Sequence, residues 1–129
     1  MPVKRKITEP DGVYFITLTW HQWLPLIEKT NGYDLVYNWF DHLKTKGHFI
    51  NGYVIMPNHL HALIAFRNTS QSINTIVGNG KRFMAYEIIK RLVCCCCQRD
   101  HKVVQFLSHT GGNFFVYAKR TTLNLLTLI

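Results

Sequence analysis

Apolar and polar positions divide the chain into segments of different period. Residues 13–20 are β-branched and aromatic, with Thr17 and Thr19 set between apolar neighbours, the pattern of a strand. Residues 21–31 carry Pro25 and read as a connecting loop whose Trp23, Leu24, Leu26 and Ile27 lie on the core. From 32 to 46 the period changes. Leu35, Val36, Trp39, Phe40 and Leu43 fall at i, i+1, i+4, i+5 and i+8, one stripe of an amphipathic helix. Asp34 near its start and Lys44 and Lys46 near its end suit the helix dipole, and Gly47 stops it. Residues 48–56 and 59–66 return to strand composition, and the short connection at Pro57-Asn58 favours an antiparallel hairpin. Ser72 is a candidate N-cap for a helix over 72–77. Gly78-Asn79-Gly80 then interrupts the pattern. Glycine in a helix costs about 1 kcal/mol relative to alanine, so two in three residues favour a hinge. The helical pattern resumes over 81–92, with Met84, Ile88 and Leu92 on its apolar face.

The order β-α-β-β-α is most of a ferredoxin-like unit. The expected fold class is α+β, an antiparallel sheet with two helices on one face. A final strand, from 102–107 or 113–117, would complete it. The 129 residues suffice for one domain with a real core. Its expected extent is 1–92, followed by a divergent tail over 93–129. No internal repeat is present.

Candidate chemistry sits in the hairpin. In a strand, residues i and i+2 point to the same face. His59 and His61 would then stand roughly 6.8 Å apart along one face, with Leu60 turned into the core. Two imidazoles so placed can ligate one metal ion. A histidine pair on a strand is more often structural, but half-buried histidines among apolar residues need partners.

Composition narrows the setting. The net charge is +8 and the pI near 9.5, which suits a polyanion such as nucleic acid or an anionic membrane surface. The excess is spread along the chain, +5 over residues 1–92 (eleven Lys/Arg, six Asp/Glu) and +3 over 93–129 (four and one). The basic start, Met1-Pro2-Val3-Lys4-Arg5-Lys6, is not followed by the apolar region of a signal peptide. No run approaches the roughly 20 apolar residues of a membrane span. Cys94 to Cys97 are consecutive, which is not the spacing of a disulfide framework, and a reducing cytoplasm is the default compartment.

Pro57-Asn58-His59-Leu60-His61 after an apolar strand resembles the His-hydrophobic-His motif of the single-tyrosine transposases. The resemblance is to the insertion-sequence-200-like and REP-associated branch. Tyr53-Val54-Ile55-Met56 leads into the motif, and Tyr14-Phe15-Ile16-Thr17-Leu18-Thr19 and Trp23-Leu24-Pro25-Leu26 look like the branch's first strand and following loop. The likeness covers roughly residues 8–92. It implies a DNA transposase, acting in the cytoplasm at the nucleoid, that cleaves and rejoins hairpin-flanked single-stranded DNA. His59 and His61 would hold Mg²⁺ or Mn²⁺. Gly80-Lys81-Arg82-Phe83-Met84-Ala85-Tyr86-Glu87-Ile88 looks like the helix that presents the catalytic tyrosine, which makes Tyr86 the nucleophile. On helical geometry Tyr86 lies about 160° from Ile88, on the side of Arg82 and Lys90. Such a tyrosine is ordinarily packing; the resemblance gives it the catalytic role. Lys81, Arg82 and Lys90 would contact DNA phosphates. The family includes dimers that build the site from two chains, and monomers.

The sequence departs from the pattern in two places. Relatives commonly carry an amide one turn after the tyrosine, where this chain has Lys90, and a protonated lysine cannot bind a metal. From Val93 the composition shifts to the cysteine run and an aromatic, threonine-rich stretch, as a truncated or frameshifted reading frame would give. Two other classes stay open. One is a hairpin-binding module, or transposase remnant, without catalysis. The other is a small protein holding zinc through His59 and His61 with a further ligand.

Overall fold

The computed structural model describes residues 9–95 and 116–120. The basic start Met1 to Lys6, the candidate strand 102–107 and the second half of the cysteine run lie outside them. Eight residues, Gly12–Thr19, form β1, and a short turn through His21–Trp23 leads to a four-residue helix, α1 (Leu26–Lys29). The main helix α2 (Tyr33–Thr45) precedes the hairpin of β2 (Phe49–Ile55) and β3 (His59–Phe66). The long helix α3 (Ile73–Cys95) follows, and β4 (Val116–Arg120) closes the sheet. Strand order is β2-β3-β1-β4, with every pairing antiparallel. This is the ferredoxin-like α+β architecture expected from the chain. The last strand overlaps the second of the two expected segments.

Alternation decides which side of the sheet is covered. Tyr14, Ile16 and Leu18 of β1 and Leu60, Ala62, Ile64 and Phe66 of β3 are buried. They form one core with Leu26 and Ile27 of α1, with Leu35, Val36, Trp39, Phe40 and Leu43 of α2, and with Ile73, Val77, Met84, Ala85, Ile88 and Leu92 of α3. All three helices therefore lie on one face. The intervening residues of β1 and β3 are only partly covered and form the open face. On β2 a bulge between Ile50 and Gly52 resets the pairing, so that Val54 stands opposite His61.

Local signals set the helix ends. At the end of α2 the amide of His48 donates to the Leu43 carbonyl and that of Gly47 to the Lys44 carbonyl. Gly47 has φ +86, the left-handed conformation this Schellman stop requires. The Ser72 hydroxyl accepts from the Thr75 amide at 3.2 Å, as an N-cap does. An Arg91 guanidinium ties the far end of α3 to the start of α2, with one nitrogen 2.8 Å from Asp34 Oδ1 and the other on Oδ2.

Two expectations are corrected here. The glycines at 78 and 80 do not break the helix, since α3 runs through both. A Cβ built on Gly80 would lie 2.0 Å from Trp39 Nε1, so this glycine lets α3 close on the buried indole of α2. The other correction concerns residues 21–31. Leu26 and Ile27 do reach the core, through α1, but Trp23 is 61 % exposed.

Candidate functional site

His59 and His61 share the open face of β3, and Leu60 between them is fully buried. Their ring centroids are 4.8 Å apart. Strand alternation produces this pairing, and the surrounding contacts fix each ring. The backbone at Pro57-Asn58 is tied down from two sides. Its carbonyls accept from the amides of Ile27 and Trp20 at 3.1 and 3.2 Å, and Met56 and His59 close the hairpin with a 2.8 Å bond. Asn58 Oδ1 lies 2.6 Å from His59 Nδ1. An amide oxygen can only accept, so Nδ1 carries the proton and Nε2 presents its lone pair. His61 Nδ1 lies 2.9 Å from the Thr17 hydroxyl, its cross-strand neighbour on β1.

Electrostatics favour the neutral ring. Partial burial, reinforced by the neighbouring His61, holds the His59 imidazole below its ordinary range. A neutral ring is the form that can act as a ligand. Aromatic rings bracket the pair. Phe15 stacks on His61 at 5.4 Å, and Trp23 meets His59 edge-on at 5.5 Å. Among the described residues, no group of three or more His, Cys, Asp and Glu comes together. The donor set is two imidazoles, which leaves a zinc cage without a further ligand of that type. Two adjacent imidazoles, each with its Nδ1 engaged, would fit as a pair of ligands to one divalent cation.

Tyr86 is 66 % exposed and stands off the buried stripe of α3, as its helical position requires. Arg82 and Lys90 are exposed on the same helix, and Lys81 is partly covered. This cluster is not brought to the histidines. The buried side of α3 rests on the face of the sheet carrying Leu60 and Ala62, whereas His59 and His61 occupy the opposite face. The sheet and the helix, itself about 10 Å thick, separate the tyrosine from the imidazoles of its own chain. The alternation of β3 carries part of that signal: Leu60 shares the core with Met84 and Ile88, and the histidines alternate to the other face. The β1–β4 register sets Tyr117 opposite Thr17, which in turn faces His61 on β3. Position 117 thus lies two strands from His61 in one cross-strand row, roughly 9.6 Å away at the usual strand spacing.

Sequence reasoning missed Thr17, Asn58, Phe15 and Trp23 as parts of this site. Asn58 was legible as the residue beside the motif. Thr17 and Phe15 depend on the β1–β3 register, which the sequence of β1 alone does not set.

No protein-family model and no curated protein matches this sequence. Solved structures do match by shape. One is a REP-associated tyrosine transposase bound to a REP hairpin, with a TM-score of 0.56 at 17 % identity. The match covers 95 % of this chain but 64 % of that one, so the chain spans under two thirds of the length of that transposase. Another is a candidate transposase from Deinococcus radiodurans R1, with a TM-score of 0.60 at 16 % identity, covering 95 % of this chain and 88 % of that one. The chain has the fold of these transposases.

Proposed function

We propose that this chain is a DNA strand transferase of the single-tyrosine class, in the insertion-sequence-200-like and REP-associated family. The observation that carries the reading is the histidine pair, two adjacent imidazoles on an open sheet face with each Nδ1 already engaged. The shared fold supports it, and the hairpin bound by one structural neighbour suggests the substrate, single-stranded DNA beside a hairpin.

In this reading His59 and His61 hold a divalent cation, Mg²⁺ or Mn²⁺. When bound, the cation polarises the non-bridging oxygens of the scissile phosphate. Asn58 and Thr17 keep the two rings oriented, so the phosphate meets a site already assembled. The nucleophile is the Tyr86 oxygen. It forms a bond to phosphorus as the bond to the 3′ oxygen breaks. The phenolic proton passes to solvent, and the departing oxygen takes up a proton as a 3′-OH. The product is a 5′-phosphotyrosine, whose reversal rejoins a strand without a nucleotide cofactor. Because α3 lies behind the sheet, the tyrosine that attacks comes from a second copy of the chain. Lys81, Arg82 and Lys90 surround it and neutralise neighbouring phosphates.

A second reading, a hairpin-binding module without catalysis, is favoured by one specific feature. Lys90 stands where relatives carry an amide, and the described residues add no acidic, histidine or cysteine ligand to the pair. Incubating the chain with a labelled hairpin single strand and Mn²⁺ separates the two. The transferase reading expects a protein–DNA band that survives denaturation and disappears in His59→Ala. Salt-sensitive binding with no such band would give the second reading.

A further inference from the structure

Four rings follow one another across the open face. Trp23 meets His59 at 5.5 Å, His59 meets His61 at 4.8 Å, and His61 meets Phe15 at 5.4 Å. The histidines are half-buried in the middle of the row. The ends are open, with Trp23 61 % and Phe15 37 % exposed.

The Trp23 end is held in place at a conformational cost. Gln22 has φ +50 and Trp23 φ +57, two consecutive non-glycine residues in the left-handed region. That region crowds the Cβ of an L-residue, and it persists only where the surroundings enforce it. The enforcing contacts are visible. Trp20 is buried, its amide donates to the Asn58 carbonyl, and its own carbonyl accepts from the Trp23 amide at 3.1 Å. On the other side Leu26 and Ile27 anchor α1 in the core. The loop thus spends backbone strain on keeping a large indole in solvent beside His59, where it buries little surface of its own.

We infer that Trp23 and Phe15 are base-stacking residues that seat the nucleotides on either side of the phosphate held at His59 and His61. Single-stranded nucleic acid is the occupant that fits. Every base offers a π-face to an exposed ring, and the intervening phosphate falls over the imidazoles. The net charge of +8 complements a polyanion. A duplex keeps its bases stacked on one another and offers no free face to either ring. The inference rests on the nucleic-acid part of the proposed function and not on cleavage.

The test uses the full chain carrying Tyr86→Phe with an unstructured thymidine oligonucleotide and Mg²⁺, so that the phosphate site can fill while strand cleavage plays no part. Tryptophan emission should be quenched on binding, and Trp23→Phe should abolish the quench, because Trp20 and Trp39 are buried. Trp23→Ala should weaken single-strand affinity roughly 5- to 150-fold, the range for one lost base–aromatic stack. Its salt slope should stay unchanged, and Trp23→Phe should recover most of the affinity. Trp23→Gly relieves the left-handed strain, so it should unfold at a higher temperature while binding as weakly as Trp23→Ala. Unquenched emission at saturation, Trp23→Ala binding within twofold of the parent, or equal loss of duplex binding would overturn the inference. An affinity loss that Trp23→Phe does not recover, with a lowered unfolding temperature in Trp23→Gly, would also overturn it and leave Trp23 a structural residue. If the covalent band fails to form while these effects hold, catalysis falls and the stacking role stands.

Discussion

Replacing Gly80 with alanine should destabilise the chain, and replacing Gly78, two residues earlier in the same helix, should stabilise it. Alanine is the better helix former by about 0.5–1 kcal/mol, and both positions gain that. They differ in what the new methyl meets. At Gly78 nothing lies within 4 Å of a Cβ. At Gly80 the Cβ would stand 2.0, 2.4 and 2.6 Å from Nε1, Cε2 and Cδ1 of Trp39. Trp39 is 4 % exposed and packs beside Phe40, so moving the indole disturbs the core. Either α3 lifts from α2 or the core repacks, at about 2–3 kcal/mol for an overpacked site. The net expectation is a loss of about 1–2 kcal/mol for Gly80→Ala against a gain of up to about 1 kcal/mol for Gly78→Ala. Urea denaturation of both variants reads this directly, and the unfolding temperatures should move in opposite directions by roughly 3–5 °C per kcal/mol. If both alanines shift stability the same way, the glycines serve the helix alike and close packing against Trp39 is not the reason for Gly80.

Other consequences are open to measurement. His48 is buried and its Nδ1 accepts from the Arg67 amide at 3.3 Å, and burial depresses its pKa from 6.5. The unfolded chain therefore takes the proton first. Stability should be full above about pH 6.5 and fall as pH drops below it, and His48→Gln should flatten the urea midpoint between pH 8 and 5.5. Arg91→Ala removes the fork to Asp34 and a 3.1 Å bond to the Asn31 carbonyl at a half-exposed site, so it should lower stability by about 1 kcal/mol, less at high salt. Arg82→Ala and Lys90→Ala should each reduce the slope of log affinity against log salt by about 1 for hairpin DNA; an unchanged slope would return them to the ordinary solvated face. Tyr117→Phe should leave the covalent adduct intact; its loss there, with retention in Tyr86→Phe, would move the nucleophile to the row that runs through Thr17 to His61.

The fold was legible because period and burial coincide. The stripe Leu35, Val36, Trp39, Phe40, Leu43 is the buried side of α2, and the alternation of β3 is the covered and open sides of the sheet. The histidine pair was legible for the same reason, since i and i+2 on a strand need no tertiary information to share a face. What escaped depends on contacts distant in sequence. Gly80 looked like a helix breaker because propensity is local, whereas its reason is an indole on another helix. Trp23 looked like core because it is large and apolar; two left-handed residues hold it in solvent instead. Tyr86 stands off its stripe as expected, yet being exposed on α3 is not the same as facing the site. The helical wheel reports only the direction away from the core, which for this layer points away from β3.

The most direct test of the account is adduct formation by a mixture of two disabled chains. His61→Ala keeps the tyrosine and loses one imidazole; Tyr86→Phe keeps both imidazoles and loses only a hydroxyl. Each alone, with labelled hairpin single strand and Mn²⁺, should give no denaturation-resistant band, although each should still bind the hairpin. Mixed, they should form it, because a site pairing the histidines of one copy with the tyrosine of another is restored in part of the population. The account is contradicted if the parent chain forms no adduct, if Tyr86→Phe forms one alone, or if the parent does so and the mixture does not.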